Sequence, residues 1–215
     1  MKKDESYFEH ENRFYLDAPP KRLGKCLAHF EIYKKIINLP GDVVEFGVFK
    51  GASLARLLTF RSLLESEDSR EIIGFDAFGK FPKRGDESDL KFIKRFEDSA
   101  GDGTSRLELE NAFHAKGFRN FTLIEGDILK SLPEFLEARP HSRFSFIHLD
   151  TDIYEPAVAI LKHCYKRLVR GGVLVMDDYP TVLGETRAVD EYFEGHDVRI
   201  EKLSISHIPS FIVKS

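Results

Sequence analysis

Carboxylates follow two apolar segments of this chain that have the character of buried strands. Asp177 and Asp178 come directly after the run Gly172–Met176, and Asp150 and Asp152 come after a second apolar run. The carboxyl ends of parallel strands meet at one edge of a sheet, and this is the edge at which open α/β sheets bind their ligands. The spacing therefore predicts a cluster of acidic side chains at one edge of a sheet.

Three of these carboxylates, Asp150, Asp177 and Asp178, are candidate ligands of a divalent cation. In a partly dehydrated cleft they would repel one another unless a cation or a proton lay among them. Oxygen ligands favour hard ions such as Mg²⁺, which lowers the pKa of a bound hydroxyl group. Asp150 or Asp152 could then accept the hydroxyl proton, and we favour Asp150 as both ligand and base. Asp152 has an alternative role, because it precedes a predicted helix and could cap it.

A glycine-bearing turn follows the first predicted strand, in the segment from Glu45 through Gly47 and Gly51 to Ser53. Glycine permits close approach of a ligand to the backbone, and the start of the next helix presents free N–H groups to an anion. A cofactor with a carboxylate and a cationic centre, such as S-adenosylmethionine, suits this combination. The alternative is that both glycines serve only a tight turn from strand to helix.

Two further strand ends carry acidic residues that could bind such a cofactor. Asp76, followed by Ala77 and Phe78, stands near the distance at which an acidic side chain accepts hydrogen bonds from a ribose. The residues Gly126, Asp127 and Ile128 end the next strand and could lie beside an adenine ring. By contrast, His148 lies within an apolar strand, where a hydrogen-bonded core histidine is the more common outcome.

The elements that must position these residues alternate between short β-rich runs and helical patterns, which is typical of a mostly parallel sheet covered by helices on both faces. Two segments near the C-terminus are too close for a helical crossover and should pair as an antiparallel hairpin. We therefore predict an α/β fold with a seven-stranded sheet. The predicted strands are Val43–Val48, Ile72–Asp76, Thr122–Glu125, Phe144–Leu149, Val173–Met176, Val198–Ile205 and Phe211–Val213. The predicted helices are Leu23–Ile37, Ser53–Leu64, Ser88–Ala115, Leu132–Ala138, Tyr154–Val169 and Thr186–Phe193.

Length and composition limit the possible classes of protein. The 215 residues suit one domain, residues 23–215, preceded by an aromatic-rich N-terminal segment, residues 1–22, that could act as a lid or contact a second copy of the chain. A net charge of −4 disfavours nucleic acid as a partner. No apolar run approaches the length of a membrane span, and the two cysteines, Cys26 and Cys164, have no paired spacing. We expect a cytoplasmic protein that binds neither nucleic acid nor membrane.

Four segments of the chain resemble the macrocin O-methyltransferase group of the class I methyltransferases. In order along the chain they are Leu39–Gly51, Phe75–Phe78, His148–Glu155 and Gly171–Tyr179. The pattern Leu-Asp-x-Asp-x-Tyr-Glu together with Asp-Asp-Tyr is the specific part, since many unrelated methyltransferases share the glycine motif. Phe49 and Ala52 stand where the group often has Trp and Gly, and Ala77–Lys80 replaces a more usual Ser-Phe-Glu-Gly.

The resemblance implies a Rossmann-like fold, S-adenosylmethionine and Mg²⁺ or another divalent cation as cofactors, and methylation of a sugar hydroxyl. Carried over by motif, the cofactor would be held by Glu45, Gly47, Ser53, Asp76 and Asp127, and the metal by Asp150, Asp177 and Asp178. Gly51, Ala77, Phe78, Gly126, Ile128 and Asp150 adjoin the same cofactor site. The alternatives are a nicotinamide-dependent oxidoreductase, which Glu45 in place of the first glycine argues against, and a noncatalytic module on the same fold.

Overall fold

The computed structural model describes residues 6–215, which form a seven-stranded sheet with helices on both faces. The strands are β1 (Asp42–Phe46), β2 (Ile72–Asp76), β3 (Phe121–Glu125), β4 (Phe144–Leu149), β5 (Leu168–Met176), β6 (Glu201–Lys202) and β7 (Ser210–Val213). The helices are α1 (Tyr7–Asp17), α2 (Pro20–Tyr33), α3 (Ala52–Leu64), α4 (Glu87–Ala100), α5 (Arg106–Ala115), α6 (Ile128–Ala138), α7 (Tyr154–Cys164) and α8 (Leu183–Phe193). None of the helices in residues 6–215 is both long enough and apolar enough to cross a membrane.

The sheet has the order β3-β2-β1-β4-β5-β7-β6, so the chain reverses its direction of travel across the sheet after β3. The first five strands pair in parallel, whereas β7 is antiparallel to both β5 and β6. The predicted arrangement of five parallel strands and an antiparallel C-terminal pair is confirmed. The carboxyl ends of β1 and β4, where strand order reverses, meet at the same edge as those of β2 and β5.

Apolar side chains on both faces of the central strands explain why the sheet is covered on both sides. Alternate residues of one strand point to opposite faces, and all six residues of β4 are buried. Phe144, Ile147 and Leu149 belong to the core beneath α6, α7 and α8, while Phe146 belongs to the core beneath α2, α3 and α5. The continuous hydrophobicity of these strands, rather than an alternating pattern, is the signature of a parallel sheet.

The predicted helix Ser88–Ala115 is wrong in one respect, because the structure has two helices there. Helix α4 ends at Gly101, whose φ of +72° is accessible to glycine without strain. Helix α5 begins after Ser105, which forms a reciprocal capping box with Glu108. The break turns the chain between the two helices, so that α4 faces the carboxyl edge of the sheet and α5 packs against β3.

Candidate active site

A cavity of about 500 Å³ lies at the carboxyl edge of the parallel strands. Its wall combines the turn after β1, the ends of β2, β3, β4 and β5, the start of α2 and one side of α4. A second cavity of about 440 Å³ adjoins it between α4 and the loop before α8. Phe92 and Val182 belong to the walls of both cavities.

Three carboxylates converge on the first cavity, as the sequence predicted. Asp150, Asp177 and Asp178 each offer an oxygen atom, and the three atoms lie within 4.8 Å of one another. Asp150 follows β4 and the other two follow β5, and these strands are neighbours whose last residues, Leu149 and Met176, are in register. The parallel pairing of β4 and β5 therefore brings residues 27 positions apart to a common point.

Asp177 is almost fully buried and is contacted by groups from two elements, β4 and α2. His148 of β4 places its Nε2 3.1 Å from Oδ1, and His29 of α2 places its Nε2 3.3 Å from the same oxygen. The ammonium group of Lys25, one turn before His29 on α2, donates a hydrogen bond to Oδ2. Glu45 of β1 completes the network, because its Oε1 lies 2.8 Å from Nδ1 of His148.

The pKa values of the two histidines of this network are shifted in opposite directions. Burial opposes protonation of His148, but its contacts with Asp177 and Glu45 outweigh burial and raise its pKa well above the ordinary value. Burial dominates at His29 and, together with the nearby charges of His148 and Lys25, lowers its pKa to about 4. Burial also opposes ionisation of Asp177, yet the contacts with the histidines lower its pKa well below the usual range. We therefore describe Asp177 as ionised, His148 as protonated and His29 as neutral near pH 7.

The pKa values of the other carboxyl groups near Asp177 are shifted upward, in the direction opposite to that of Asp177. Burial, and then repulsion by neighbouring carboxylates, raises the pKa of Asp150, Asp152 and Glu185 well above the usual range and that of Asp178 more moderately. Acidic groups thus outnumber the cations Lys25 and His148 that face them. Such a cluster takes up protons or binds a further cation, since like charges this close cannot all remain ionised alone.

Asp152 lies on the cavity wall and Glu185 is buried behind it, and a hydrogen bond between their backbones holds the loops that carry the carboxylate cluster. Asp152 is buried with a φ of +62°, an uncommon conformation for a residue other than glycine. The backbone N–H of Glu185 donates to the carbonyl of Asp152 at 3.1 Å, and the N–H of Asp178 donates to Oε1 of Glu185 at 3.0 Å. Oε2 of Glu185 is buried and has no hydrogen-bond partner within residues 6–215.

The glycine turn after β1 is held in place by Asp76. Oδ2 of Asp76 accepts hydrogen bonds from the N–H groups of Val48 and Phe49 at 2.8 and 2.9 Å, and Oδ1 accepts one from Phe78 at 2.6 Å. A carboxylate can accept about four hydrogen bonds, so about one acceptor position remains for a ligand. Asp76 thus shapes the turn and lines the cavity at the same time.

Asp127 also has a structural and a cavity-lining role. Its Oδ1 accepts a hydrogen bond from the N–H of Leu129 and caps α6, while its Oδ2 accepts one from Nη2 of Arg84 at 2.6 Å. Arg84 comes from the segment before α4 and lines the cavity as well. The ion pair therefore ties that segment to the end of β3.

Most of the residues proposed from the sequence line the cavity, and three do not. On the wall are Gly47, Ser53, Asp76, Ala77, Gly126, Asp127, Ile128, Asp150, Asp152, Asp177 and Asp178. Glu45 is fully buried against His148, Gly51 packs against side chains of α5, and Phe78 is buried in the core that α5 covers. These three residues lie behind the wall because the motifs at the ends of β1 and β2 each span both ligand-facing and core-facing positions.

Three further residues of the site, Lys25, His29 and Glu185, belong to none of the motifs in the sequence. Lys25 and His29 are four residues apart and so share one face of α2, but nothing in the sequence relates that face to the end of β5. Glu185 lies seven residues after Asp178, at the start of α8. The interpretation of His148 as a hydrogen-bonded core histidine is confirmed.

A family model described as Macrocin-O-methyltransferase (TylF) matches residues 21–212 of the chain. Demethyldecarbamoylnovobiocin O-methyltransferase of Streptomyces niveus is 28% identical, and the match covers 78% of this chain and 64% of the relative. Mycinamicin III 3''-O-methyltransferase of Micromonospora griseorubida is 27% identical, with 78% of this chain and 66% of the relative covered. The chain thus spans just under two thirds of the length of these two curated relatives.

Solved structures show the same fold. CalS11, described as a calicheamicin methyltransferase, superposes with a TM-score of 0.73 at 22% identity, covering 99% of this chain and 87% of the other. A second structure of CalS11, described as a TDP-rhamnose 3'-O-methyltransferase, gives a TM-score of 0.71, again at 22% identity, over 99% of this chain and 88% of that one. The O-methyltransferase NovP gives 0.74 at 22% identity, over 90% of this chain and 80% of that one.

Proposed function

Because the chain belongs to the macrocin O-methyltransferase family, we propose that it transfers the methyl group of S-adenosylmethionine to a hydroxyl group of a sugar or glycoside. The observation that carries this proposal is the convergence of Asp150, Asp177 and Asp178 on a cavity that also contains the glycine turn. The comparisons support a sugar acceptor, since CalS11 is described as a TDP-rhamnose 3'-O-methyltransferase.

The turn after β1 would hold the amino-acid end of the cofactor, which supplies a methyl group on a positively charged sulfur. Gly47 lines the cavity and has a φ of +94°, a conformation that glycine adopts without strain. Ser53 lies in the first turn of α3, where free N–H groups and the helix dipole favour a carboxylate. The free acceptor position of Asp76 would take a ribose hydroxyl, and Gly126, Asp127 and Ile128 would border the base.

Asp150, Asp177 and Asp178 would hold a divalent cation, Mg²⁺ or another, which supplies Lewis-acid polarisation of the acceptor hydroxyl. The donor set fits a hard ion, because all three groups are carboxylates with oxygen atoms within 4.8 Å of one another. The raised pKa values of Asp150 and Asp178 support the same assignment, since they reflect too little positive charge around these groups.

We propose Asp152 as the residue that accepts the proton of the acceptor hydroxyl at its carboxylate. The sequence favours Asp150 as both ligand and base, but Asp150 would already hold the cation together with Asp177 and Asp178, whose oxygen atoms lie within 4.8 Å of its own. Asp152 lines the same cavity outside that set, and burial followed by repulsion from Asp178 and Asp150 raises its pKa well above the usual range. A carboxylate with a raised pKa is the stronger base near neutral pH.

The acceptor would lie between the carboxylates and α4 and extend into the second cavity. The loop that carries Asp178 continues directly into that cavity, because Thr181 and Val182 line it and both donate their N–H groups to the carbonyl of Asp178. Phe92 lies on the walls of both cavities and would offer apolar surface to a sugar at their junction. The second cavity would hold the part of the acceptor beyond the methylated sugar.

Helix α1, which lies within the predicted N-terminal segment of residues 1–22, would close the cavity or contact a second copy of the chain; the last residues of that segment belong to α2, which begins at Pro20. Tyr7, Phe8 and Leu16 of α1 are exposed, and no residue of this helix is buried. Helix α2, which follows at once, contributes Arg22 and Lys25 to the cavity wall. Sedimentation velocity of the full chain distinguishes the two roles.

The proposal is tested by separating cofactor binding from transfer. S-adenosylhomocysteine should bind the wild-type protein with micromolar affinity, and transfer from labelled S-adenosylmethionine to a panel of nucleotide sugars and glycosides should stop on chelation and return with Mg²⁺. The substitution Asp178→Asn should reduce transfer at least 100-fold, because it removes one charged ligand of the cation, while S-adenosylhomocysteine binding changes less than threefold.

Asp190→Asn is the matched control, since Asp190 is an exposed acid of α8 that accepts a hydrogen bond from Tyr179 and is not on the cavity wall. Transfer that persists in the presence of a chelator would refute the metal assignment. Binding of NADH in place of S-adenosylhomocysteine would favour an oxidoreductase, and cofactor binding without transfer to any acceptor of the panel would favour a noncatalytic module.

A further inference from the structure

The side chain of Lys25 reaches the candidate metal site from a helix that does not belong to the sheet edge. Lys25 lies in the second turn of α2, lines the cavity, and its side chain is 17% exposed. Its ammonium group donates to Oδ2 of Asp177. The three carboxylates that attract this charge are Asp177, Asp150 and Asp178, the same three that form the candidate ligand set.

Of the two carboxylate oxygens of Asp177, Oδ2 is the one positioned to bind a cation in the cavity. Oδ1 is turned toward the buried imidazoles of His148 and His29, at 3.1 and 3.3 Å. Both histidines are 1% exposed, so this side of the carboxylate is closed by the protein core. The oxygen that remains for a ligand position is therefore the one that Lys25 contacts.

An ammonium group and a divalent cation cannot share that oxygen at contact distance, since the two positive charges would repel each other strongly within a buried site. The flexible stem of lysine allows the ammonium group to leave without moving the helix. His29 and His148 would keep Asp177 in place during such an exchange, because neither contacts Oδ2.

We propose that Lys25 is a displaceable counter-ion of the metal site: it pairs with Asp177 until a divalent cation takes Oδ2, and it then turns into the cavity. This inference rests on the proposed metal site. Competition between Lys25 and the cation would set the affinity of the site for the cation. Because Lys25 belongs to α2, cation binding would also be coupled to α2 and to the segment before it.

The first test measures Mn²⁺ binding by electron paramagnetic resonance, with chelator-treated protein and neither cofactor nor acceptor present. Lys25→Met should bind Mn²⁺ at least tenfold more tightly than the wild type, because the competing ammonium group is gone. Lys50→Met is the control: Lys50 lines the same cavity, but its Nζ donates to the carbonyl of Ala100 at 2.5 Å. Its affinity for Mn²⁺ should change less than twofold.

The second test uses wild-type protein and so does not depend on the folding of a variant. Reductive methylation followed by peptide mass spectrometry reports how accessible each lysine is. Saturating Mg²⁺ should speed the labelling of Lys25 at least threefold, because its ammonium group leaves Asp177, and should leave Lys50 unchanged.

The outcomes separate this inference from the proposed function. Equal or weaker Mn²⁺ binding by Lys25→Met, or unchanged labelling of Lys25 in protein that binds Mg²⁺, overturns the inference and leaves the metal site standing. If neither protein binds Mn²⁺, both the inference and the metal assignment fail. Binding of S-adenosylhomocysteine to the same samples then shows whether the cofactor assignment survives.

Discussion

The network around Asp177 shows how neighbouring residues of one type can have opposite protonation states. His148 contacts two carboxylates, Asp177 and Glu45, and these contacts overcome the cost of burying a charge. His29 shares Asp177 with His148 and Lys25, so it faces two positive charges for one negative charge. The proton is therefore best placed on His148, where it orients Asp177 toward the cavity.

The low pKa of His29 in the folded protein, about 4, predicts that this residue makes stability depend on pH. Above about pH 6.5 the side chain is neutral in both folded and unfolded chains. As the pH falls toward 4, the unfolded chain takes up a proton that the folded protein resists, so stability is lost on acidification. The free energy of unfolding of the wild type, minus that of His29→Gln, should fall by about 2 kcal/mol between pH 7.5 and pH 5.

Urea denaturation at the two pH values measures this difference. Other titrating groups are common to both proteins, so their contributions largely cancel in the comparison. If the difference stayed constant, or grew, on acidification, His29 would have to be protonated in the folded protein, and the charge distribution around Asp177 described above would be incorrect.

At the scale of elements, the close approach of β1 and β4 connects the cofactor turn to the carboxylate cluster. A Cβ atom on Gly47 would lie 1.7 Å from the carbonyl oxygen of Asp150. The N–H of Asp150 in turn donates to the carbonyl of Phe46 at 2.9 Å. The glycine is therefore required for contact between the two strand ends as well as for its φ of +94°.

We predict that Gly47→Ala weakens the binding of both S-adenosylhomocysteine and Mn²⁺ at least tenfold, because the new methyl group must push Asp150 away from its position. Gly117→Ala is the control, since Gly117 also has a positive φ, of +83°, but a Cβ there meets no atom of residues 6–215 within 4 Å. That variant should lose about 1 kcal/mol of stability through backbone strain and bind both ligands normally. Calorimetric titration measures the affinity of each variant for both ligands. Binding by Gly47→Ala at the wild-type affinity would contradict the prediction.

Element-level features differ in how readily the sequence predicts them. The strands were predictable because continuous apolar runs such as Phe144–Leu149 reflect burial on both faces. The break between α4 and α5 was not predicted, because the composition of this polar, charged segment is compatible with one continuous helix. The break depends on two local features, the N-cap at Ser105 and the turn at Gly101. Carboxylates at the ends of β4 and β5 were predictable from strand pairing alone, whereas Lys25 required knowledge of how α2 packs.

For the molecule as a whole, polar networks at the two edges of the sheet have different roles. The carboxyl edge gathers like charges whose pKa values are raised, as with Asp150 and Asp152. At the amino edge, Arg70 is buried and fully paired: it contacts Glu65 at 2.7 Å and donates to the carbonyls of Ile36, Leu39 and Gly41. Satisfied charges of this kind hold the loops around β1 and β2 together.

We therefore predict that substitutions at the amino edge of the sheet change stability, whereas substitutions at the carboxyl edge change ligand binding. Arg70→Met should destabilise the protein by roughly 3–5 kcal/mol, because it leaves Glu65 buried without its partner. Arg139→Met is the control, since Arg139 pairs with Glu71 in a partly exposed position and should contribute about 1 kcal/mol or less. Urea denaturation gives these values, and S-adenosylhomocysteine binding to the folded fraction should stay within twofold of wild type in both variants. Loss of binding in folded Arg70→Met protein would show that the two edges are coupled through β1, which the separation of the two networks argues against.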